Sequence, residues 1–188
     1  MTSRFSNDPS LKWYKAGVLG EKFKVSEVPE LFKTKYGHLN PNDVVFTPRE
    51  IAKAMVEYLE PSGSILEPCK GEGAFMDFLP GAEWCEITEG RDFYDYHKKV
   101  DWIVTNPPYS DFDKFLEHSF ELAENVGLLV PTAKVFKSMG TIRVIRKFGW
   151  FTKLWLLPAG KCGFPFGFPC GIFHFKKGYT GTTEWKIT

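Results

Sequence analysis

Apolar residues recur at helical spacing from Ile51, where Ile51, Ala52, Met55, Tyr58 and Leu59 fall on one face. Ahead of them Thr47 is a suitable N-cap, Pro48 suits the first helical position and Glu50 completes a capping box, so a helix is expected there. Pro61-Ser62-Gly63 stops it. The pattern then shortens to apolar runs that read as strands: 64–66, 83–87, 101–105 and 126–130. Helices are expected between them. One starts at Ala74, one is capped by Ser110 and carries Phe112, Phe115, Leu116, Phe120 and Ala123 on one face, and one is capped by Thr132 and reaches about Lys147. The last two runs, 151–157 and 171–175, have no helical pattern between them and predict an antiparallel pair at one edge. This alternation predicts an α/β fold, a mostly parallel sheet with helices on both faces.

Polar residues 1–43, interrupted by Pro9, Pro29 and Pro41, predict a partly ordered arm, with one domain over 44–188. At 188 residues, 43% hydrophobic and 25% charged, the chain suits one globular α/β domain. No apolar run approaches a membrane span and no secretory signal pattern follows Met1, so a cytoplasmic protein is expected. The four cysteines (Cys69, Cys85, Cys162, Cys170) lack metal spacing and read as reduced thiols.

Net charge is +1, but it is unevenly spread. Residues 1–124 hold 14 Lys+Arg against 22 Asp+Glu, and residues 125–188 hold 10 against one, Glu184. Within the basic part, Lys134, Lys137, Arg143, Arg146, Lys147 and Lys153 cluster over one expected helix and the next strand. Such a face attracts phosphate backbones; the alternative is a solvated helix surface.

The most informative segment is Asn106-Pro107-Pro108-Tyr109, after the apolar run Trp102-Ile103-Val104. Proline lacks an N–H and fixes φ, so Pro107 and Pro108 hold a rigid extended turn with free carbonyls. The Asn106 side-chain oxygen and a neighbouring carbonyl then supply two acceptors, with the Tyr109 ring beside them. That set suits a planar group carrying an –NH2. Three further segments fall at expected strand ends, where open α/β sheets bind ligands. Gly71-Glu72-Gly73 permits a tight turn, and its neighbours Glu67 and Glu72 would repel a pyrophosphate and suit a cofactor with a cationic group. Glu86 can accept from ribose hydroxyls, and Asp92-Phe93 can meet an adenine amino group and ring. Alone, the glycine turn is equally readable as a structural turn, whereas Glu86 reads more readily as a surface acid and Asp92-Phe93 as a structural pair.

Taken together, and in this order over residues 44–176, they resemble the S-adenosyl-methionine-dependent amino-methyltransferases that act on N6 of adenine in DNA. Phe46-Thr47-Pro48 looks like the FTP motif that precedes the core in one arrangement of that family. Glu67-Pro68-Cys69-Lys70-Gly71-Glu72-Gly73-Ala74-Phe75 resembles its cofactor loop, Glu86 its ribose-binding acid and Asp92-Phe93 its adenine-contacting pair. Asn106 to Tyr109 is similar to its catalytic [DNS]PP[YFW] motif. The resemblance implies a Rossmann-like fold and S-adenosyl-methionine, held by Phe46, Thr47, Pro48, Glu67, Pro68, Gly71, Gly73, Phe75, Glu86, Asp92, Phe93 and Asn106. It implies catalysis by Asn106 and the Pro107 carbonyl without a metal, and stacking of Tyr109 on an extruded base. Phe164 and Phe166 would then form the second wall of the base pocket, or else a hydrophobic loop plug. The basic residues 134–147 would hold DNA.

Two departures stand out. Five residues separate Glu86 from Asp92, too few for a crossover helix, so a loop is expected there or the ribose role passes to Glu89. A target-recognition domain is also missing, which predicts short-site specificity or a partner, a second copy or a specificity subunit, that supplies readout. The alternatives are methylation of RNA, methylation of a glutamine amide, and a non-catalytic nucleic-acid-binding subunit.

Overall fold

The computed structural model describes residues 39, 43–164, 167 and 169–188. The arm expected over 1–43 lies outside these except for Leu39 and Asp43. The first helix, α1 (Arg49–Leu59), buries Ile51, Ala52, Met55 and Leu59, the face read from the spacing. Its cap differs from expectation. Pro48 occupies the N-cap position and no side chain caps the helix, because the Thr47 hydroxyl is engaged elsewhere.

Next come β1 (Ile65–Glu67), β2 (Glu83–Trp84), β3 (Val100–Thr105), α2 (Phe112–Leu122) and β4 (Ala123–Pro131). They are followed by α3 (Thr132–Val135), α4 (Met139–Phe148), β5 (Gly149–Leu157), β6 (Cys170–Lys177) and β7 (Glu184–Ile187). The strands form one sheet in the order β2-β1-β3-β4-β6-β5-β7. The neighbours from β2 to β4 are parallel, and β6 runs antiparallel between β4 and β5.

Helices cover both faces. Gly127 and its directly paired His174 share one face, where a Cβ on Gly127 would meet Leu59 Cδ1 of α1 at 2.4 Å. The pair Val126–Phe175 points to the opposite face. There Phe120 of α2 stacks on Phe148 of α4 at 3.9 Å and meets Phe175 edge-on at 5.7 Å.

Several expected elements change. No α-helix forms from Ala74; turns closed by Met76 N–H to Gly73 O and Phe78 N–H to Phe75 O replace it. Ala74 follows two glycines with positive φ, and Pro80 leaves too little chain for a regular helix. Ser110 does not cap α2: its hydroxyl donates to Asp43, and Asp111 stands at the cap position. Ala123 is not helical but opens β4. The helix expected from Thr132 to Lys147 is broken after Val135, and Ser138 caps α4 through Thr141 N–H at 3.1 Å. Thr132 donates instead to Pro169 O. The antiparallel pair β5–β6 is present but not outermost, because β7 adds a parallel edge strand beyond β5. The loop expected between Glu86 and Asp92 contains one short 3-10 turn, Ile87–Glu89, and a second turn, Phe93–Asp95, follows Asp92. The second turn is held by the His118 ring, whose Nε2 lies 3.1 Å from both Phe93 O and Tyr96 O.

Candidate active site

Strand order reverses around β1, which has β2 on one side and β3 on the other. A crevice opens at the carboxyl ends of these strands, as it does in other open α/β sheets. It has a volume of about 420 Å³. The crevice gathers Phe46, Thr47, Pro68, Gly71, Phe75, Glu86, Asp92, Phe93, Asn106 and Pro108 from segments far apart in sequence. Pro48, Glu67, Gly73, Pro107 and Tyr109 are not part of this lining.

The amide of Asn106 is held in one orientation. Its Nδ2 donates to Val45 O at 3.2 Å and to Thr47 Oγ1 at 3.1 Å. A backbone carbonyl can only accept, so the Val45 contact places Nδ2 on that side and turns Oδ1 away from it. The Tyr109 hydroxyl donates to Oδ1. A carbonyl oxygen has two lone pairs, so one remains for a second donor. The segment read as a cofactor motif therefore also orients the Asn106 amide.

The loop after Asn106 is fixed from two sides. Asp43 Oδ1 accepts from the N–H groups of Tyr109 (2.6 Å) and Ser110 (2.9 Å), and its Oδ2 accepts from the Ser110 hydroxyl. On the other side, Lys134 Nζ donates to Tyr109 O at 2.9 Å. Sequence reasoning missed Asp43, a single acid in a polar stretch, and gave Lys134 a phosphate-binding role. Lys134 instead braces the loop.

Tyr109 is not presented as a stacking face: it is 5% exposed, and Phe164, 1% exposed, lies edge-on at 5.5 Å. The expected two walls of a base pocket pack on each other. Phe166 lies outside the described residues. Burial raises the Tyr109 phenol well above its ordinary pKa, so the hydroxyl stays protonated and remains a donor to Asn106.

The glycine loop is tied to the segment that follows β2. Glu86 Oε2 accepts from Gly71 N–H at 2.8 Å, and Oε1 accepts from Thr88 N–H and Oγ1 at 3.0 and 2.6 Å. Gly71 has φ +53, and a Cβ there would lie 3.4 Å from the Phe46 ring. Gly73, at φ +85, would place a Cβ in open space. Glu89 pairs with Lys70 at 2.8 Å and lies off the crevice lining. Asp92 accepts from Tyr94 N–H at 2.9 Å, while Phe93 packs on Phe115 at 4.7 Å.

Glu67 differs from the reading of a charged acid flanking the loop. It is fully buried, and burial pushes its carboxyl up to about 8 even though the Thr105 hydroxyl and Cys69 amide favour ionisation. At neutral pH it is a neutral acid that accepts from Cys69 N–H at 2.9 Å. A protonated Oε2 can donate to Thr105 Oγ1; these are two buried oxygens without another partner among the described residues. Without Glu67, five carboxylates (Asp43, Glu72, Asp77, Glu86, Asp92) still line the crevice against Arg49 and Lys70. Arg49 pairs with Asp77. The floor is therefore acidic and suits a ligand with cationic groups. Ile87, 53% exposed, adds an apolar edge that the sequence reading did not include.

The basic residues divide. Lys137 pairs with Asp113 at 2.8 Å, and Lys153 donates to Tyr58 O at 2.9 Å. Arg143, Arg146 and Lys147 stand exposed on α4, with the Arg146 guanidinium 5.3 Å from the Trp150 ring centroid. Among the described residues no helix is long and apolar enough to cross a membrane.

No protein-family model and no curated protein matches the sequence. Solved structures do match the fold. A class I S-adenosylmethionine-dependent methyltransferase candidate from Listeria monocytogenes superposes with a TM-score of 0.57 at 15% identity, covering 84% of this chain and 69% of that one. A candidate RNA methyltransferase from Pyrococcus horikoshii gives 0.55 at 16%, covering 86% and 95%. The methyltransferase subunit of a type I restriction-modification system from Streptococcus thermophilus gives 0.53 at 16%, covering 77% of this chain, which spans half of that subunit. The chain has the Rossmann-like methyltransferase fold.

Proposed function

We propose that this protein transfers a methyl group from S-adenosyl-methionine to the N6 amino group of adenine in DNA. One observation carries the reading: Asn106, at the switch-point crevice beside the glycine loop, has its amide nitrogen tied back so that its oxygen is available to an amino group. The lining fits the cofactor. The carboxylates of the floor suit its cationic centres, Phe46 and Ile87 offer apolar contact to a nucleobase, and Gly71 and Gly73 allow close backbone approach. Glu86 keeps ribose-binding capacity alongside its bonds to the loop.

When bound, S-adenosyl-methionine supplies an activated methyl group on a sulfonium. The chain's part is electrostatic. The exocyclic nitrogen of adenine is a weak nucleophile because its lone pair is delocalised into the ring. Asn106 Oδ1 and the Pro107 carbonyl accept its two N–H bonds and stabilise the positive charge that develops there. Asp43, Thr47, Lys134 and the Tyr109 hydroxyl hold those acceptors in place, so the reaction geometry is set in advance. Arg143, Arg146 and Lys147 attract phosphates, and specificity comes from a short readout surface or a partner, a second copy or a separate subunit.

RNA is the second reading. It is favoured by the Pyrococcus horikoshii neighbour, a candidate RNA methyltransferase matched over 95% of its length. Calorimetry with S-adenosyl-methionine, followed by label transfer to DNA, RNA and protein in parallel, tests both readings. Binding with label in DNA supports the first, and label in RNA alone supports the second. No cofactor binding would leave only a non-catalytic nucleic-acid-binding role.

A further inference from the structure

Beside the catalytic loop the chain exposes two large apolar side chains, Phe136 at 48% and Met139 at 65%. Single exposed apolar residues are ordinary. Phe136 stands in the short link between α3 and α4 and Met139 opens α4, both beyond the carboxyl end of β4, the strand next to β3.

The link is held firmly, and by the catalytic segment itself. Lys134 Nζ bonds Tyr109 O at 2.9 Å. Asp113, in the first turn of the helix that follows the tetrapeptide, receives Lys137 Nζ at 2.8 Å on one oxygen and Thr141 Oγ1 at 3.1 Å on the other. The inner side of the Phe136 ring meets Phe151 and Phe173, each at 6.1 Å between centroids. The projection is therefore tied by several bonds to the segment that follows Asn106. The segment that carries it is cationic: residues 125–183 contain no acid, Lys137 offsets Asp113, and Arg143 and Arg146 are exposed one to two turns along α4.

We propose that Phe136 and Met139 form a wedge that inserts between base pairs and opens the duplex next to the catalytic loop. The inference rests on the reading of the site as a base methyltransferase. A paired base cannot bring its amino group to Asn106, so opening must be driven by something on the protein. Phe and Met are among the side chains that separate base steps in duplexes held by basic residues. Tyr109 and Phe164, packed on each other, are not placed to start that opening. A wedge beside them is.

The test uses whole-genome-amplified DNA, which carries no methylation and contains every short site, either as duplex or after heat denaturation. Single-turnover transfer of labelled methyl is compared between the wild type and Phe136→Ala/Met139→Ala. The wedge predicts that the variant loses at least about tenfold on duplex while staying within about twofold on denatured DNA. Phe136→Trp, which keeps a wedge, should retain the duplex rate. Equal loss on both substrates, or no loss, overturns the proposal. So does a change of molecular mass by light scattering in the variant, which would mark the pair as a protein interface. If the wild type labels neither form, the methyltransferase reading itself has failed, an outcome distinct from selective loss of the wedge.

Discussion

Replacing Asp43 by alanine removes three hydrogen bonds from one side of the loop that follows Asn106: the Tyr109 and Ser110 N–H groups at 2.6 and 2.9 Å, and the Ser110 hydroxyl. Hydrogen bonds to a charged acceptor contribute about 1.5–3 kcal/mol each where water is excluded. Asp43 is half-buried and Ser110 is exposed, so only the bond to buried Tyr109 keeps the full value and the set is worth about 2–3 kcal/mol. Lys134 still holds Tyr109 O, so the loop should stay attached but spend little time in the arrangement that aims Asn106. A loss of that size predicts a fall in kcat of about 30- to 150-fold. Asp43→Asn keeps an oxygen facing the two N–H groups and should recover most of the rate. Hydrogen exchange provides a readout that does not depend on activity: the Tyr109 amide should lose protection in the alanine variant and keep it in the asparagine variant. Unchanged protection with kcat within about threefold of wild type would refute the bracing role.

Tyr109→Phe separates two roles for one ring. A residue that only stacks on a base would tolerate the change, whereas one whose hydroxyl orients Asn106 should lose about tenfold in kcat, the equivalent of one ordinary hydrogen bond. The buried Glu67 makes stability fall with rising pH: its folded pKa of about 8 lies above the ordinary glutamate value of 4.5, so the folded chain binds the extra proton in between. Between pH 6.5 and 8 the wild type should lose about 2 kcal/mol, measurable by urea denaturation, and Glu67→Gln should flatten that slope. His174, whose buried ring is pushed down to about 4, acts in a lower window, destabilising the fold as pH drops below its ordinary value, and so does not disturb this comparison. The exposed cations of α4 predict that duplex affinity falls roughly 40-fold between 50 and 200 mM salt if three phosphates are neutralised. In gel shifts Arg143→Ala/Arg146→Ala/Lys147→Ala should be nearly insensitive to salt, and an unaltered slope would place the contact elsewhere.

The fold was legible where packing repeats a simple period. The apolar face of α1 and the buried strands β3 and β4 announce themselves because each element meets the core along one continuous face. What misled were residues whose polar groups bond across the fold. Thr47, Ser110 and Thr132 have the chemistry of helix caps, but their hydroxyls serve Asn106, Asp43 and Pro169, and local propensity gave way to those tertiary partners. The helix expected at Ala74 failed for a local reason, the positive-φ glycines before it and Pro80 after it. At the site, the motifs located the crevice, since glycine, acid and amide at successive strand ends are a sequence-level signature of a switch-point ligand. The bracing by Asp43 and Lys134 was not legible: each pairing spans tens of residues, and a lone charge in sequence does not reveal what it faces. Nor was the neutrality of Glu67, which follows from depth and not from its neighbours in the chain.

The most direct test of the central claim is nucleoside analysis by mass spectrometry after incubating whole-genome-amplified DNA with the protein and S-adenosyl-methionine. N6-methyl-deoxyadenosine should accumulate with the wild type and fall at least about 100-fold with Asn106→Ala, the scale for removing a group that stabilises charge in the transition state. Methylation found only on cytosine, or N6-methyl-deoxyadenosine formed equally well by Asn106→Ala, would contradict the account.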